Sequence, residues 1–287
     1  MIPYIIGSNG RLGQIIKQKA NAIGINPVFS YDIANYSNPG DREYDFSEMV
    51  NGAYKNKGVI IDATTPAAFK KNIFEYTNVR NNIVVATTGW YNELDTVKNL
   101  VRDSDSQLIY AGNFSLGVMS FYDRVREQAR ICNKIGGFKV CVEEIHHIHK
   151  LDYPSGTANV LEKIIAEEMG IRPDKFLKHH GEYGKDLVLD NPTKTADIIT
   201  RPLEAEKKEK VENSYPMISH RVGEVFGYHR VVFYDKNQEI VIDHNSKSRS
   251  HFADGIFLAA DWIRRQPSGV YTMEDCWKDF KNSEKQK

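Results

Sequence analysis

The stretch IIGSNGRLG, residues 5–13, decides how the fold is read. A short apolar run meets glycines at 7, 10 and 13, and apolar residues then recur at helical spacing over Arg11–Ala22. Glycines between a strand and a helix allow a tight turn. They also let backbone N–H groups approach a pyrophosphate, which the helix N-terminus stabilises. The spacing is GxxGxxG, not the commoner GxGxxG, and Asn9 stands where the middle glycine usually is, a residue that tolerates left-handed backbone. Such turns also serve plain helix–strand packing. Position favours the nucleotide, because this turn opens a βαβ series and Asp32 ends the second strand about 20 residues on, where a carboxylate can accept hydrogen bonds from an adenosine ribose. The bland alternative for Asp32 is a cap or turn residue.

Outward from that stretch, the first 115 residues alternate apolar runs with amphipathic segments, the pattern of a parallel sheet. Strands are predicted over 3–7, 27–32, 58–64, 82–89 and 107–112, and helices over 11–22, 66–78 and 91–103. From Phe114 the pattern changes. A longer helix is expected over 114–132, a strand in KVCVEEIHH, and a helix over 157–169. GYHRVVFYDKNQEIVIDH, residues 227–244, alternates about Asp235-Lys236-Asn237, a hairpin signal. KKEKVE, residues 207–212, reads as a solvated loop or helix face, and residues 250–287 read as helical with a PSGVY break, returning to pack on the first domain.

The chain of 287 residues favours two domains. Lys+Arg and Asp+Glu number 38 each, so no net charge draws it to nucleic acid or an anionic membrane. Cys132, Cys141 and Cys276 are few and scattered, which suits reduced packing thiols. No apolar run reaches the roughly 18 residues of a membrane span, and Met1 leads almost directly into a strand; a soluble cytoplasmic protein is expected.

EEIHHIHKLDYPSGTANVL, residues 143–161, carries the chemistry. Three histidines suggest zinc, but on a strand His146 and His147 point to opposite faces and no cysteine completes a set, so no metal is expected. Satisfied structural histidines are the bland reading. Against it, Lys150 and Asp152 precede a PSGT turn opening a helix. There the N–H groups of Ser155, Gly156 and Thr157, with the two hydroxyls, would form a carboxylate site. Histidine exchanges protons near neutral pH, and Lys150 can stabilise an anion or donate a proton. The stretch reads as an anion-holding acid–base site.

EIHHIHKLDYPSGTA (144–158) resembles the signature of the dihydrodipicolinate reductase family of lysine and diaminopimelate biosynthesis. GSNGRLG (7–13), ATTG (86–89), GNFSLGV (112–118), RVGEVFGYHRVVF (221–233) and HNSKSRSHFADGIFLAADWI (244–263) are similar to its other motifs, in the same order. The resemblance implies an α/β fold: a Rossmann-like parallel-sheet nucleotide-binding domain from residues 1–115 with 246–287, and a mixed α+β domain, 116–245, for substrate binding and oligomerisation as a homotetramer. It implies hydride transfer from NADH or NADPH to a cyclic imine-type dicarboxylate, giving tetrahydrodipicolinate. His146 then takes the acid–base position and Lys150 the proton-donor position, while His147, Ser155, Gly156 and Thr157 hold carboxylate, with Arg221 as a further basic contact. Gly7, Ser8, Asn9, Gly10, Arg11, Leu12, Asp32, Ala86, Thr87, Thr88, Gly112, Asn113, Phe114 and Ser115 map onto cofactor positions, and Thr64 approaches the nicotinamide. The residues after Asp32, IANYSNPGD, hold no cation before Arg42 to neutralise a 2′-phosphate, so NADH is expected to serve at least as well as NADPH.

Three features depart from the family pattern: Gly112 where Ala or Pro is usual, Val222 where a small residue is commoner, and a longer polar stretch around 191–213. Two rivals are a paralogous imine or enamine reductase acting on another carboxylated ring, and a nucleotide-binding protein with a dead site. The second expects erosion at His146, Lys150 or 155–157, and none is seen.

Overall fold

The computed structural model describes residues 1–26, 28–32, 46–182 and 215–283. It divides into two compact units, one of Met1–Leu116 with Arg249–Lys287, the other of Gly117–Ser248. The 191–213 stretch, with KKEKVE inside it, and the segment from Ile33 to Arg42 lie outside the described residues.

In the first unit the five predicted strands form as β1 (Pro3–Ile6), β2 (Phe29–Tyr31), β3 (Val59–Asp62), β4 (Asn82–Val85) and β5 (Gln107–Tyr110). Each is shorter than the run that predicts it; Gly7, Thr64, Gly89 and Gly112, at the ends of four of those runs, lie outside the strands. β1 and β3 are buried at every position, as parallel strands covered on both faces must be. Helix α1 (Arg11–Ala22) follows the glycine turn, and α3 (Pro66–Tyr76) starts where the Thr65 hydroxyl accepts from the Ala68 amide with Pro66 in the first turn. Of the predicted 91–103 helix, Tyr91–Glu93 form a 3-10 turn and Leu94–Asp103 form α4, which buries Val97 and Val101. A helix that the sequence reading lacked, α2 (Phe46–Lys55), joins β2 to β3 and buries Met49, Val50 and Ala53.

The C-terminal segment returns to this unit as expected, with one correction. The PSGVY break is a strand, β11 (Gly269–Thr272), which pairs parallel with β5 and gives the sheet order β11-β5-β4-β3-β1-β2, all parallel. Before it, α7 (His251–Ile263) buries Ala253, Gly255, Ile256, Phe257, Ala259, Ala260, Trp262 and Ile263, apolar almost all round because it lies on β4 and β5. After it, α8 (Met273–Ser283) buries Met273 and Cys276.

The second unit holds α5 (Leu116–Ile135), β6 (Lys139–His146), α6 (Gly156–Met169), β7 (Phe176–Glu182), β8 (Tyr215–Arg221), β9 (Gly227–Tyr234) and β10 (Glu239–Ser246). Its sheet runs β10-β9-β6-β8-β7. β9 is antiparallel to both β10 and β6, whereas β8 is parallel to β6 and β7, so the sheet is mixed. The predicted hairpin is β9–β10, closed by the Asp235 carboxylate accepting from the amides of Asn237 (2.7 Å) and Gln238 (3.0 Å). β7 and β8 were not anticipated: they flank the polar stretch and lack clean alternation.

Gly255 tests the seating of α7. A Cβ there would overlap the Phe114 carbonyl oxygen, a backbone atom that cannot swing aside. Gly255→Ala should lower stability in urea denaturation by about 1–3 kcal/mol, the usual cost of overpacking. A wild-type midpoint would show that α7 can slide.

Candidate active site

Strand register assembles the chemistry of the second unit. Glu144 and His146, two apart on β6, share a face, while Ile145 points the other way. Directly opposite Glu144 stand Ser219 on β8 and His229 on β9, and opposite His146 stands Arg221. One face of three adjacent strands therefore presents a carboxylate, two imidazoles, a hydroxyl and a guanidinium. α6 packs on β6 and brings Ser155 to them.

Glu144 is fully buried. Its Oε1 accepts from the Ser155 amide at 2.9 Å and the Ser219 hydroxyl at 2.7 Å, with Arg221 Nη1 at 3.8 Å. Its Oε2 lies 3.3 Å from His146 Nε2 and 3.4 Å from His229 Nε2, and the two Nε2 atoms are 3.3 Å apart. Burial alone would raise this carboxyl, but hydrogen bonds from His146, His229 and Ser155 hold it far below the usual carboxylate range. Glu143 shows the contrast on the opposite face, where burial outweighs Arg230 and pushes the carboxyl up to about 7. Burial also holds His229 below the ordinary imidazole value, against the pull of Glu144.

Donor atoms of Glu144, His146 and His229 lie within 4.8 Å of one another, close enough to raise the question of a metal. The nitrogen that a metal-bound histidine ordinarily commits to a supporting partner, here His229 Nδ1, is buried and has none among the described residues. The three facing atoms, 3.3–3.4 Å apart, form a close buried cluster of one carboxylate and two imidazoles. His147 follows the last residue of β6 and is not one of the three.

Lys150 follows in a turn closed by its amide on the His147 carbonyl (3.1 Å). Its Nζ donates to both oxygens of Asp152, at 2.8 and 2.9 Å. Although partial burial would raise it, the Asp152 carboxyl is held below its ordinary value by the hydrogen bond and charge of Lys150. Two residues with expected substrate roles are engaged inside the protein. Arg221 is 3% exposed and faces the protein: Nε donates to the Lys150 carbonyl (3.0 Å), Nη2 to the Asp152 carbonyl (2.5 Å) and Nη1 to the His220 carbonyl (2.8 Å). It clamps the Lys150 turn, where the sequence suggested a substrate contact. Ser155 gives its amide to Glu144, and its hydroxyl caps α6 at Ala158 and sits 3.1 Å from His229 Nε2. The reason is the same for both: a buried carboxylate and a buried turn take the donors first. Gly156 and Thr157 form the first turn of α6, at its positive end. His149 is an exposed surface group 3.7 Å from Glu224.

The predicted cofactor residues gather at the C-terminal ends of β1 to β5. Gly7 has φ +81°, and a Cβ at Gly13 would overlap the Gly7 carbonyl, so the turn requires both glycines. Asn9 does not take the left-handed backbone its side chain would tolerate; its amide donates to Asp32 Oδ2 at 2.9 Å instead. No side chain caps α1 at Gly10, which suits first-turn amides of Arg11 and Leu12 that meet a phosphate. Ser8 is buried beneath the turn. Thr64 and Thr87 meet at Asp62, a fully buried acid that the sequence reading passed over. It accepts from Thr64 Oγ1 (2.8 Å), Thr87 Oγ1 (2.5 Å) and Tyr76 OH (2.7 Å), and so ties the loops after β3 and β4 together. Ala86 anchors its amide on the Asp62 carbonyl, and Thr88 is exposed beside it. Gly112 is exposed, the Asn113 side chain accepts from the Ser115 amide at 2.8 Å, and Phe114 is buried against α7.

Comparison with known proteins decides the family. The profile "Dihydrodipicolinate reductase, N-terminus" matches residues 3–114, and "Dihydrodipicolinate reductase, C-terminus" matches residues 117–277. The chain belongs to the dihydrodipicolinate reductase family. A 4-hydroxy-tetrahydrodipicolinate reductase of Christiangramia forsetii is 32% identical over 95% of this chain and 97% of its own. One of Pseudoalteromonas atlantica is 27% identical over 94% and 96%. In fold, the chain is similar to a dipicolinate-bound dihydrodipicolinate reductase of Paenisporosarcina sp. TG-14, with TM-score 0.64 and 20% identity, covering 96% of this chain and 98% of that one. The family is one of oxidoreductases with a pyridine-nucleotide cofactor. Among the described residues, no helix is long and apolar enough to cross a membrane.

The clamp makes its own prediction. Arg221→Lys keeps the charge but loses the fork that holds two carbonyls, so the protein should lose about 1–3 kcal/mol. Amide hydrogen exchange across 150–153 should quicken; unchanged exchange there would show that the turn holds itself.

Proposed function

We propose that this chain is an NAD(P)H-dependent 4-hydroxy-tetrahydrodipicolinate reductase of lysine and diaminopimelate biosynthesis, forming tetrahydrodipicolinate. The observation that carries the reading is the family match along almost the whole chain, with an intact His146–Lys150–Gly156–Thr157 constellation. The nicotinamide, when bound, supplies the hydride. Residues of the glycine turn, Asp32, Thr64, 86–88 and 112–115 would hold that cofactor, and the uncapped α1 terminus and Cβ-free turn fit a pyrophosphate. Gly156 and Thr157 amides and His147 receive a substrate carboxylate. Lys150, steered by Asp152, and His146 deliver and hold the proton that quenches the negative charge left on the ring nitrogen.

NADH oxidation with freshly prepared dihydrodipicolinate synthase product, beside a panel of other cyclic imines, tests the substrate. Pyridine-2,6-dicarboxylate, its planar mimic, should compete. Turnover of other imines alone would favour a paralogous reductase, and no turnover at all a dead site. Lys150→Ala and His146→Ala should each lower kcat by roughly 10²-fold or more with folding retained. His149→Gln, at the surface, should cost far less.

Cofactor choice rests on Asp32, whose carboxylate also anchors the Asn9 amide. It accepts from ribose hydroxyls and repels a 2′-phosphate, so NADH should serve at least as well as NADPH. Asp32→Asn should move the kcat/KM ratio toward NADPH; a wild type strongly selective for NADPH would sink this assignment. The homotetramer and cytoplasmic location follow from the family resemblance, and light scattering of the purified protein tests the former.

A further inference from the structure

His146 does not stand alone. Its Nε2 faces a second imidazole nitrogen at 3.3 Å, and two cationic rings that close would repel strongly. Facing both is Glu144 Oε2, 3.3 and 3.4 Å from the two nitrogens, while Oε1 accepts from Ser155 and Ser219. A carboxylate half satisfied by fixed donors and half turned to two imidazoles holds a proton in one place.

We propose that Glu144 and His229 are positioning residues of the reaction, the buried carboxylate fixing the proton on His146 and the second imidazole fixing the ring. The proposal rests on the functional reading above.

The groups facing His146 on every side support this division. On its own strand the charge is Glu144. From β8 comes Arg221, whose donors are spread over three backbone carbonyls. From the turn come Lys150 and Asp152, paired with each other. From β9 comes His229, which burial holds below the ordinary imidazole value against the pull of Glu144. The α6 cap contributes Ser155, neutral and bonded to both Glu144 and His229. Glu144, which also has Arg221 Nη1 3.8 Å from its Oε1, is therefore the carboxylate that faces His146. Behind the ring, a Cβ at Gly227 would come within 3.0 Å of His146 Cε1, so the strand leaves room for one ring position. Ser155 has a second consequence: the residue that caps the carboxylate-facing helix also donates to the carboxylate that holds the proton, so substrate seating and proton delivery share an anchor.

The test reads His146 directly. In full-length protein without ligands, imidazole ¹⁵N NMR against pH gives the His146 midpoint, and kcat/KM against pH gives its counterpart in turnover. Glu144→Gln should lower the midpoint by about one unit or more, since an opposite charge at this distance is worth that much. The kcat/KM profile should move by the same amount, with kcat falling more than KM rises and NADH binding intact. Glu144→Asp should restore part of the shift. His229→Gln keeps the carboxylate, so it should lower kcat while leaving the midpoint at or above wild type; it carries the test if Glu144→Gln does not fold. An unchanged midpoint in folded Glu144→Gln would overturn the proposal, as would a lowered one in His229→Gln. So would a zinc ion retained at one per chain and lost in His229→Gln. If wild type does not reduce the dicarboxylate, the functional reading fails, and the NMR midpoints still decide the positioning role.

Discussion

A carboxylate taken out of water must be repaid by donors, and Glu144 is fully buried. That single requirement organises the second unit. It sets Ser219 and His229 opposite Glu144 in the sheet, draws the first amide of the PSGT turn inward, and so fixes where α6 begins. Gly156 and Thr157 follow Ser155 as the first turn of α6. Arg221, in register with His146, extends the network to the Lys150 turn through two backbone carbonyls. His146, Lys150 and the first turn of α6 are thus parts of one hydrogen-bonded assembly.

The first unit repeats the device. Asp62, buried at the end of β3, gathers hydroxyls from Thr64, Thr87 and Tyr76, and its proximity, after the effect of burial itself, drives the Tyr76 phenol well above its ordinary range. The loops after β3 and β4, where a nicotinamide would rest, are held by one acid inside the sheet. Both halves therefore anchor loops to a sheet through a desolvated carboxylate, where hydrogen bonds are stronger than in water.

Much of the fold was legible because its cause is local. The apolar runs of β1 to β5 are central parallel strands, and Arg11–Ala22 is a helix with the bounds its periodicity indicates. Elements whose cause is not local escaped. α2 has little to announce it beyond Met49, Val50 and Ala53, and packs only once β1, β2 and β3 exist. PSGVY looks like a break because five residues between helices carry no period; β5 supplies the hydrogen bonds that make Gly269–Thr272 a strand. β7 and β8 depend in the same way on β6.

The sequence by itself determined the chemical vocabulary and the family: glycines at 7, 10 and 13, the acid at 32, and the His146, Lys150 and PSGT signature, each meaningful at short spacing. It also ruled His146 and His147 onto opposite faces, a consequence of strand alternation alone. Tertiary structure decided which donors remained to act. Ser155 and Arg221 have the right chemistry for a substrate carboxylate, yet they serve Glu144 and the Lys150 turn. Alternation could have placed Glu144 beside His146, two residues apart. It could not have found His229, 83 residues from His146, because the contact is made by the pairing of β6 with β9. Spacing along a chain reports which groups share a face; only the register between strands reports which of them must satisfy a buried charge.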